Sequence, residues 1–368
     1  MKIVSTSYVN TVEFNDPLLW LERISFYTGL LEELALQYQV ESIEQINYSG
    51  ELQVNGVRYH FLNFKKPKLY VATQLHRFIH ELKPDIIFVN GLVFPLQVIQ
   101  LRMKLGSKVK IIVLHRGEKP GQGIRKIFQK LADKCINAYL FASAELGKEW
   151  VGTGIVQNAN KIHEVIQVSS VFLPQERNNA KKQLQITATP AYLWVGRFDK
   201  NKDPLTVVHA FLEYVKTEPA AKLYMIYQSN ELLQEIMDVT EKNKETAGAI
   251  ILVGNIPHQQ LQIWYNAMDF IISGSHHEAS GIAVCEAMSC GCIPLLTDIP
   301  SFRQLTGKGK CGLLYEPGNA VSLLKILLQT AELDIDKERA KTLQQFKTEL
   351  SFEAIAKKIE QIIVSLKH

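Results

Sequence analysis

Short, almost wholly apolar runs recur along this chain, and each is followed by a helical or turn pattern. In the second half they read "AYLWVG", "AKLYMIY", "AIILVG", "DFIIS", "CIPLLT" and "CGLLYE". In the first half, after a short strand at Lys2–Ser5, they read "DIIFVN", "KVKIIVLH" and "NAYLFAS", with "EVIQV" placed to close the sheet. Such runs do not alternate polar with apolar, so both faces of the sheet must be covered. Strands of that kind, alternating with helical segments such as "RKIFQKLADKC", predict parallel sheets in an α/β fold.

Two departures from the alternation mark the organisation. Residues 17–38 read as one long amphipathic helix, and "INYSGELQVNGVRYHFL" reads as a hairpin. There Asn55-Gly56 supplies the positive φ angles of a tight turn. Residues 174–190, "PQERNNAKKQLQITATP", are polar and carry proline at each end. The expected layout is a domain over 1–173, a linker over 174–190, a second domain over 191–350, and a last helix over 351–368 packing back on the first domain. Two such domains would leave a cleft, and in open parallel sheets ligands sit beyond the carboxyl ends of the strands.

Composition narrows the classes. Of 368 residues, 46% are hydrophobic and 21% charged, an ordinary balance for folded domains. No run reaches the ~18 uncharged apolar residues of a membrane span. The start "MKIVSTSYVN" lacks signal-peptide features, so the chain reads as cytoplasmic. Five cysteines, an odd number without paired spacing, argue against a disulfide framework, and Cys290 and Cys292 lack the second pair a zinc site needs. A net charge of +4 is too mild for a dedicated nucleic-acid binder.

Two motifs carry chemistry. In "AYLWVGRFDKNKDPLTVVHAF" a strand ends at Gly196, and Arg197 and Lys202 follow before a helix opens near Asp203-Pro204. A fork of guanidinium donors and a mobile ammonium at a strand's end suit a diphosphate, although solvated loop charges read the same way. In "SGSHHEASGIAVCEAMSCG" a strand and loop lead to a helix that ends at Gly291. Glu278 stands before that helix and Glu286 on its second turn. Free N–H groups near Gly281 and Ile282 would form an anion site, and the two acids could accept hydrogen bonds from sugar hydroxyls. The plainer alternative is that Glu278 caps the helix and Glu286 pairs with a surface cation.

Taken together, Arg197 with Lys202 five positions on, Glu-x7-Glu followed by "AMSCG", then "TDIPSFRQL" and "GLLYEPGN" resemble the retaining glycosyltransferases of family 4. The resemblance implies the GT-B fold: two Rossmann-like domains whose parallel sheets face each other across a cleft. It implies that Gly196, Arg197 and Lys202 border and hold the donor diphosphate. Glu286 would bind the nucleotide ribose, and Glu278 the transferred sugar with Ser280, Gly281 and Ile282. His115, which ends a strand in "LHRG", would lie near the reacting sugar. The activity implied is transfer from a UDP- or GDP-linked sugar to a hydroxyl acceptor, a glycan or lipid-linked glycan, with retained configuration and neither cofactor nor metal. A GT-B nucleotide-sugar epimerase and a non-catalytic nucleotide-sugar binder are the alternatives. Three departures stand out: "STSYVNTVEF" replaces a glycine-rich loop after the first strand, "EASGIAVCE" has small residues where a Gly-aromatic pair is usual, and "MIYQSNELL", with Gln228, lacks glycines.

The basic excess is local. Residues 102–134 hold ten Lys and Arg against Glu118 and Asp133. Ile124, Ile127, Phe128, Leu131 and Cys135 share one helical face, expected to meet the core, leaving Arg125, Lys126, Lys130 and Lys134 on the outside. A solvated basic face and docking on an anionic membrane are the two readings of it.

Overall fold

The computed structural model describes residues 1–63 and 72–366, and the chain divides into two units. The first comprises Met1–Ser169 and the C-terminal segment from Phe352 onward; the second is Ser170–Ser351.

The first unit is built on eight strands: β1 (Lys2–Thr6), β2 (Gln39–Glu44), β3 (Gly50–Val54), β4 (Val57–Phe61), β5 (Ile86–Asn90), β6 (Lys110–Leu114), β7 (Ala138–Phe141) and β8 (Ile162–Glu164). They are ordered β3-β4-β2-β1-β5-β6-β7-β8. All pairings are parallel except β3 with β4, which form the hairpin. Asn55 and Gly56 take φ of 46° and 83° in its turn. Strand β8 ends at Glu164, so the closing strand lies two residues earlier than "EVIQV" and covers only its first residue.

Apolar runs without alternation are explained by where the side chains go. Along β1, Ile3 joins one core and Val4 the other; along β5, Ile86 and Phe88 face one way, Ile87 and Val89 the opposite way. Helix Ser25–Ala35, through Leu30, Leu31 and Leu34, covers one face together with Ile355, Ile359 and Ile363 of helix Phe352–Ser365. That last helix is therefore built into the first unit's core. Its sequence continues to residue 368, and the final two residues lie outside the described ones.

The long helix expected over 17–38 is two helices. Asp16 Oδ1 caps the first by accepting from Leu18 and Leu19 N–H at 2.8 and 3.1 Å, and Pro17 fits its first turn. The helix stops at Arg23, Ile24 leaves helical geometry with φ −103° and ψ 18°, and a second helix runs Ser25–Ala35. Apolar spacing continues across this break, so periodicity did not mark it.

The second unit carries β9 (Ala191–Gly196), β10 (Lys222–Tyr227), β11 (Ile250–Gly254), β12 (Phe270–Ser273), β13 (Ile293–Thr297) and β14 (Leu313–Tyr315). Their order is β11-β10-β9-β12-β13-β14, all parallel. Again both faces are covered: Tyr192 and Trp194 enter one core, Ala191 and Leu193 the other. The reversal of strand order lies at β9 beside β12, which is where such sheets bind ligands.

Residues 174–190 belong to this unit and are not a free linker. Helix Arg177–Gln183 is capped by Glu176, whose carboxylate accepts from Asn178 and Asn179 N–H. Arg177 and Lys181 reach the buried Asp269 at 2.8 and 3.2 Å. Polarity here serves ion pairing, which a composition reading takes for solvent exposure.

Candidate functional site

Two loops at the carboxyl ends of β9 and β12 make the site, and sheet pairing sets them side by side. Tyr192 and Leu193 of β9 lie opposite Phe270 and Ile271 of β12. The loops then lock together: His276 N–H donates to the Asn201 carbonyl at 2.8 Å, and Asn201 Nδ2 to the His277 carbonyl at 3.0 Å. Gly274 stands where they touch. A Cβ on it would meet the Asp203 carbonyl oxygen at 2.7 Å, a backbone atom that cannot swing aside.

The β9 loop is shaped by two aspartates. Asp199 accepts from Lys202 N–H at 2.9 Å through Oδ1, and its Oδ2 lies 3.1 Å from Arg197 Nε. Asp203, at φ 43°, caps helix Pro204–Tyr214 through Thr206 N–H and meets His276 Nε2 at 3.2 Å. Phe198, just before Asp199, is fully buried and anchors the loop while Arg197, 63% exposed, projects from it. Gly196 ends the strand against Trp194; a Cβ there would sit 3.0 Å from its ring.

The β12 loop delivers Glu278. Its Oε1 is ion-paired with Lys202 Nζ and accepts from Ser275 Oγ at 2.8 Å. Ser301 Oγ donates to the Glu278 carbonyl at 2.9 Å, and Thr297 Oγ1 to that of Ser275 at 2.6 Å, so β13 and the helix after it, Pro300–Leu305, fix the loop. Gly281, at φ 66°, turns the chain into helix Ile282–Ser289, and Phe302 and Leu305 leave no room for a side chain on it. Ser280 is buried at the turn. Amides at the first turn of a helix have no intrahelical acceptor and favour an anion.

Glu286 lies one turn further and is only 4% exposed. His258 Nε2 approaches its Oε1 at 2.7 Å, and the Tyr265 hydroxyl donates to Oε2 at 3.2 Å. Burial and the adjacent carboxylate push the Tyr265 hydroxyl well above its ordinary pKa, keeping it a proton donor. His258 and Tyr265 are not in the sequence reading. His258, after β11 in "NIPHQQ", had only the strand-end position as a signal.

Lys202, Glu278, Ser280, Gly281 and Ile282 thus share one end of the sheet, with Gly196 and Arg197 on the same loop as Lys202. His115 is in the first unit, at the end of β6. It is 5% exposed and packed on Phe141 and Trp150, with ring centroids 4.5 and 5.6 Å away. Its Nε2 lies 2.8 Å from the Glu118 carbonyl and Nδ1 accepts from Gly117 N–H at 3.4 Å, which assigns the ring proton to Nε2. The loop after β1 is held by aromatic contacts: Tyr8 meets Phe94 edge-on and its hydroxyl reaches His76 Nε2 at 2.9 Å. Gln228, after β10, is exposed. Cys285, Cys290, Cys292 and Cys311 are buried free thiols, and among the described residues no cluster of His, Cys, Asp and Glu could hold a metal. No helix among them is long and apolar enough to cross a membrane.

A glycosyltransferase from Rickettsia africae shares this architecture with TM-score 0.73 at 16% identity, over 99% of this chain and 98% of its own. Sucrose-phosphate synthase from Thermosynechococcus elongatus gives 0.69 at 17%, over 100% and 99%. HepE from Anabaena, in complex with UDP and glucose, gives 0.67 at 12%, over 99% and 100%. The fold is GT-B. Residues 176–349 match the family model of the glycosyl transferases group 1. The GDP-mannose:cellobiosyl-diphosphopolyprenol α-mannosyltransferase of Xanthomonas oryzae pv. oryzae is 22% identical over 265 residues, 69% of this chain and 67% of that protein. An α-monoglucosyldiacylglycerol synthase of Streptococcus pneumoniae is 25% identical over 171 residues, 46% of this chain and 37% of that protein. The match therefore spans about two thirds of the first relative and well under half of the second.

Proposed function

We propose that the protein transfers a sugar from a nucleoside-diphosphate sugar to a hydroxyl acceptor with retention of configuration, and that the second unit binds the donor. The observation that carries this reading is the convergence of Lys202, Glu278 and the helix start at Gly281 at the β9–β12 reversal. As the donor's anomeric bond breaks, negative charge grows on the diphosphate. Arg197, Lys202 and the amides after Gly281 stabilise that charge where it develops. The Glu278 pairing holds Lys202 in place; once a diphosphate takes the ammonium, Glu278 turns to the sugar hydroxyls. Glu286, held by His258 and Tyr265, presents a fixed acceptor to a ribose diol. With fixed cations at the leaving group, the reaction proceeds without a divalent metal. The sequence motifs nominate no carboxylate as a covalent nucleophile, and we favour same-face attack with the leaving phosphate accepting the acceptor's proton.

Two relatives are named for lipid-borne acceptors, a polyprenol diphosphate and a diacylglycerol. The surface of helix Gly123–Asp133 supports the same setting here. Much of the face expected to meet the core points outward: Ile124 is 72% exposed, Ile127 58% and Leu131 44%, while Phe128 and Cys135 are half-buried and Gln129, Ala132 and Asp133 are buried. Arg125 and Lys134 flank this ridge and are exposed. An apolar ridge bordered by cations fits the interface of an anionic bilayer, with greasy side chains below the headgroups and cations among them.

The test is a panel of UDP- and GDP-sugars scored for thermal stabilisation and release of nucleoside diphosphate, with and without simple glycoside acceptors. Stabilisation followed by acceptor-dependent release, and a product of retained configuration by NMR, is the expected result. Donor consumption without acceptor and with an inverted sugar centre would point to an epimerase, and binding without turnover to a sensor.

A further inference from the structure

The first unit has a pocket of its own, of about 160 Å³, at the carboxyl ends of β1, β2, β5 and β6. Trp20, Phe26, Tyr27, Glu44, Asn90 and Arg116 line it, with Ile24, the residue that breaks the N-terminal helix, beside them. The sequence reading assigned none of these side chains to a site; Arg116 entered it only as one of the ten cations of residues 102–134.

Their arrangement is specific. The Arg116 guanidinium lies over the Tyr27 ring, 4.6 Å from its centroid, and gives Nε and Nη2 to Asn90 Oδ1 at 3.1 and 2.5 Å. Among the described residues no carboxylate comes within 4.0 Å of it in an ion pair. Glu44 is held by Trp20 Nε1–H at 2.9 Å and Ser42 Oγ at 2.7 Å, one bond to each oxygen, leaving lone pairs on both. Burial raises the Glu44 carboxyl above its usual range, with Arg116 acting against that rise.

We propose that this pocket takes one uncharged sugar residue of the acceptor, its neighbouring hydroxyls bridging Glu44 and Arg116. This rests on the transferase reading above and names its acceptor class. A free anion would gain from Arg116 but meet Glu44 in the same small space. A hydroxyl pair avoids the conflict, because hydroxyls donate to a carboxylate and accept from a guanidinium. Trp20, Phe26 and Tyr27 supply flat apolar surface for the C–H face of the ring. The volume sits below the about 300 Å³ at which larger organic ligands fit, so a single ring enters and a nucleotide does not.

The experiment follows the indole N–H of Trp20 by NMR in the full chain, assigned with Trp20→Phe, during titration with methyl α-D-glucopyranoside, methyl α-D-mannopyranoside, D-glucuronate and inorganic phosphate. A neutral glycoside is expected to shift that resonance, and the two anions are not. Glu44→Gln and Arg116→Gln should each weaken glycoside binding about tenfold or more, the loss of a charge-assisted hydrogen bond. Melting temperature and UDP or GDP binding in the second unit check that these variants are folded. No Trp20 shift with either glycoside, or a response to phosphate or glucuronate alone, overturns the assignment; so does glycoside binding that both variants leave unchanged. If glycosides bind here but no nucleotide sugar is ever turned over, the transferase reading falls and the pocket remains a sugar site. Turnover with a silent Trp20 removes the pocket alone.

Discussion

At Glu286 the spacing alone allowed a surface acid, and the fold buries it against His258 and Tyr265. Arg197 shows the opposite: an exposed side chain anchored by the buried Phe198 next to it. Their substitutions should therefore differ in kind. If Arg197 acts on the charge developing at the leaving diphosphate, as proposed, Arg197→Ala should lower turnover about 100- to 1000-fold with little change in stability. Glu286→Gln should mainly weaken nucleotide binding in calorimetry, since a ribose contact is alike in ground and transition states. Equal turnover of Arg197→Ala and wild type would remove the phosphate role. Arg197, Lys202, Glu278 and Glu286 were nominated from the sequence because they stand in, or one helical turn beyond, the loops that follow strands. Their partners were not, because Ser275, Ser301, His258 and Tyr265 come from separate segments brought in by the sheet. A pH effect belongs to this scale as well. Burial lowers His76 from 6.5 to about 4, and it stays neutral against Tyr8. The unfolded chain takes up this proton first as pH falls, so stability is whole above about 6.5 and declines toward pH 4, by up to about 3 kcal/mol. Urea melts across that range check it, and His76→Phe should flatten the decline.

Among elements, the β9 and β12 loops and the helix after Gly281 form one construction. Gly274→Ala should force the Asp203 carbonyl aside, lowering stability by about 1–3 kcal/mol and weakening nucleotide binding with it. Unchanged melting and unchanged binding would show that the two loops adjust independently. The strands made of wholly apolar runs were readable because a sheet covered on both faces requires such runs; β2, "QVESIE", with its buried Glu41 and Ser42, was not read, and β8 lies earlier than expected. Two helices were misread for different reasons: apolar spacing runs across the break at Ile24 and hides it, and in Gly123–Asp133 periodicity tells which residues share a face but nothing about where that face points. In Gly123–Asp133 the docking side is Gln129, Ala132 and Asp133, with Asp133 accepting from Tyr139 at 3.0 Å and paired with Lys161 at 3.2 Å. The ridge left outside makes a direct prediction. Wild type should sediment with vesicles containing phosphatidylglycerol at low salt, less so at high salt. Changing Ile124, Ile127 and Leu131 to serine should abolish this, and Arg125, Lys126, Lys130 and Lys134 to glutamine should remove its salt dependence. Wild type that ignores such vesicles at low salt leaves the ridge without a membrane role.

For the whole molecule, a fold shared with sugar-nucleotide enzymes persists at identities of 12 to 17%, since parallel sheets covered on both faces constrain pattern far more than residue. The segment that matches the glycosyl transferases group 1 lies almost wholly in the second unit, and the motifs singled out from the sequence lie there too; the first unit offered little beyond its strand order. Its pocket depends on side chains from β1, β2, β5, β6 and the broken helix near Ile24, a juxtaposition no local pattern announces. The supposed linker was misread because ion pairs to Asp269 hold a polar helix in place. The central claim is that fixed cations of the second unit carry the departure of a nucleoside diphosphate. Release of UDP or GDP from the preferred nucleotide sugar, measured in excess EDTA for wild type and Lys202→Ala, tests it most directly. Wild-type release that persists under chelation and falls at least about 100-fold in Lys202→Ala is the predicted result. Release abolished by EDTA and restored by manganese or magnesium, or left intact in Lys202→Ala, would contradict it.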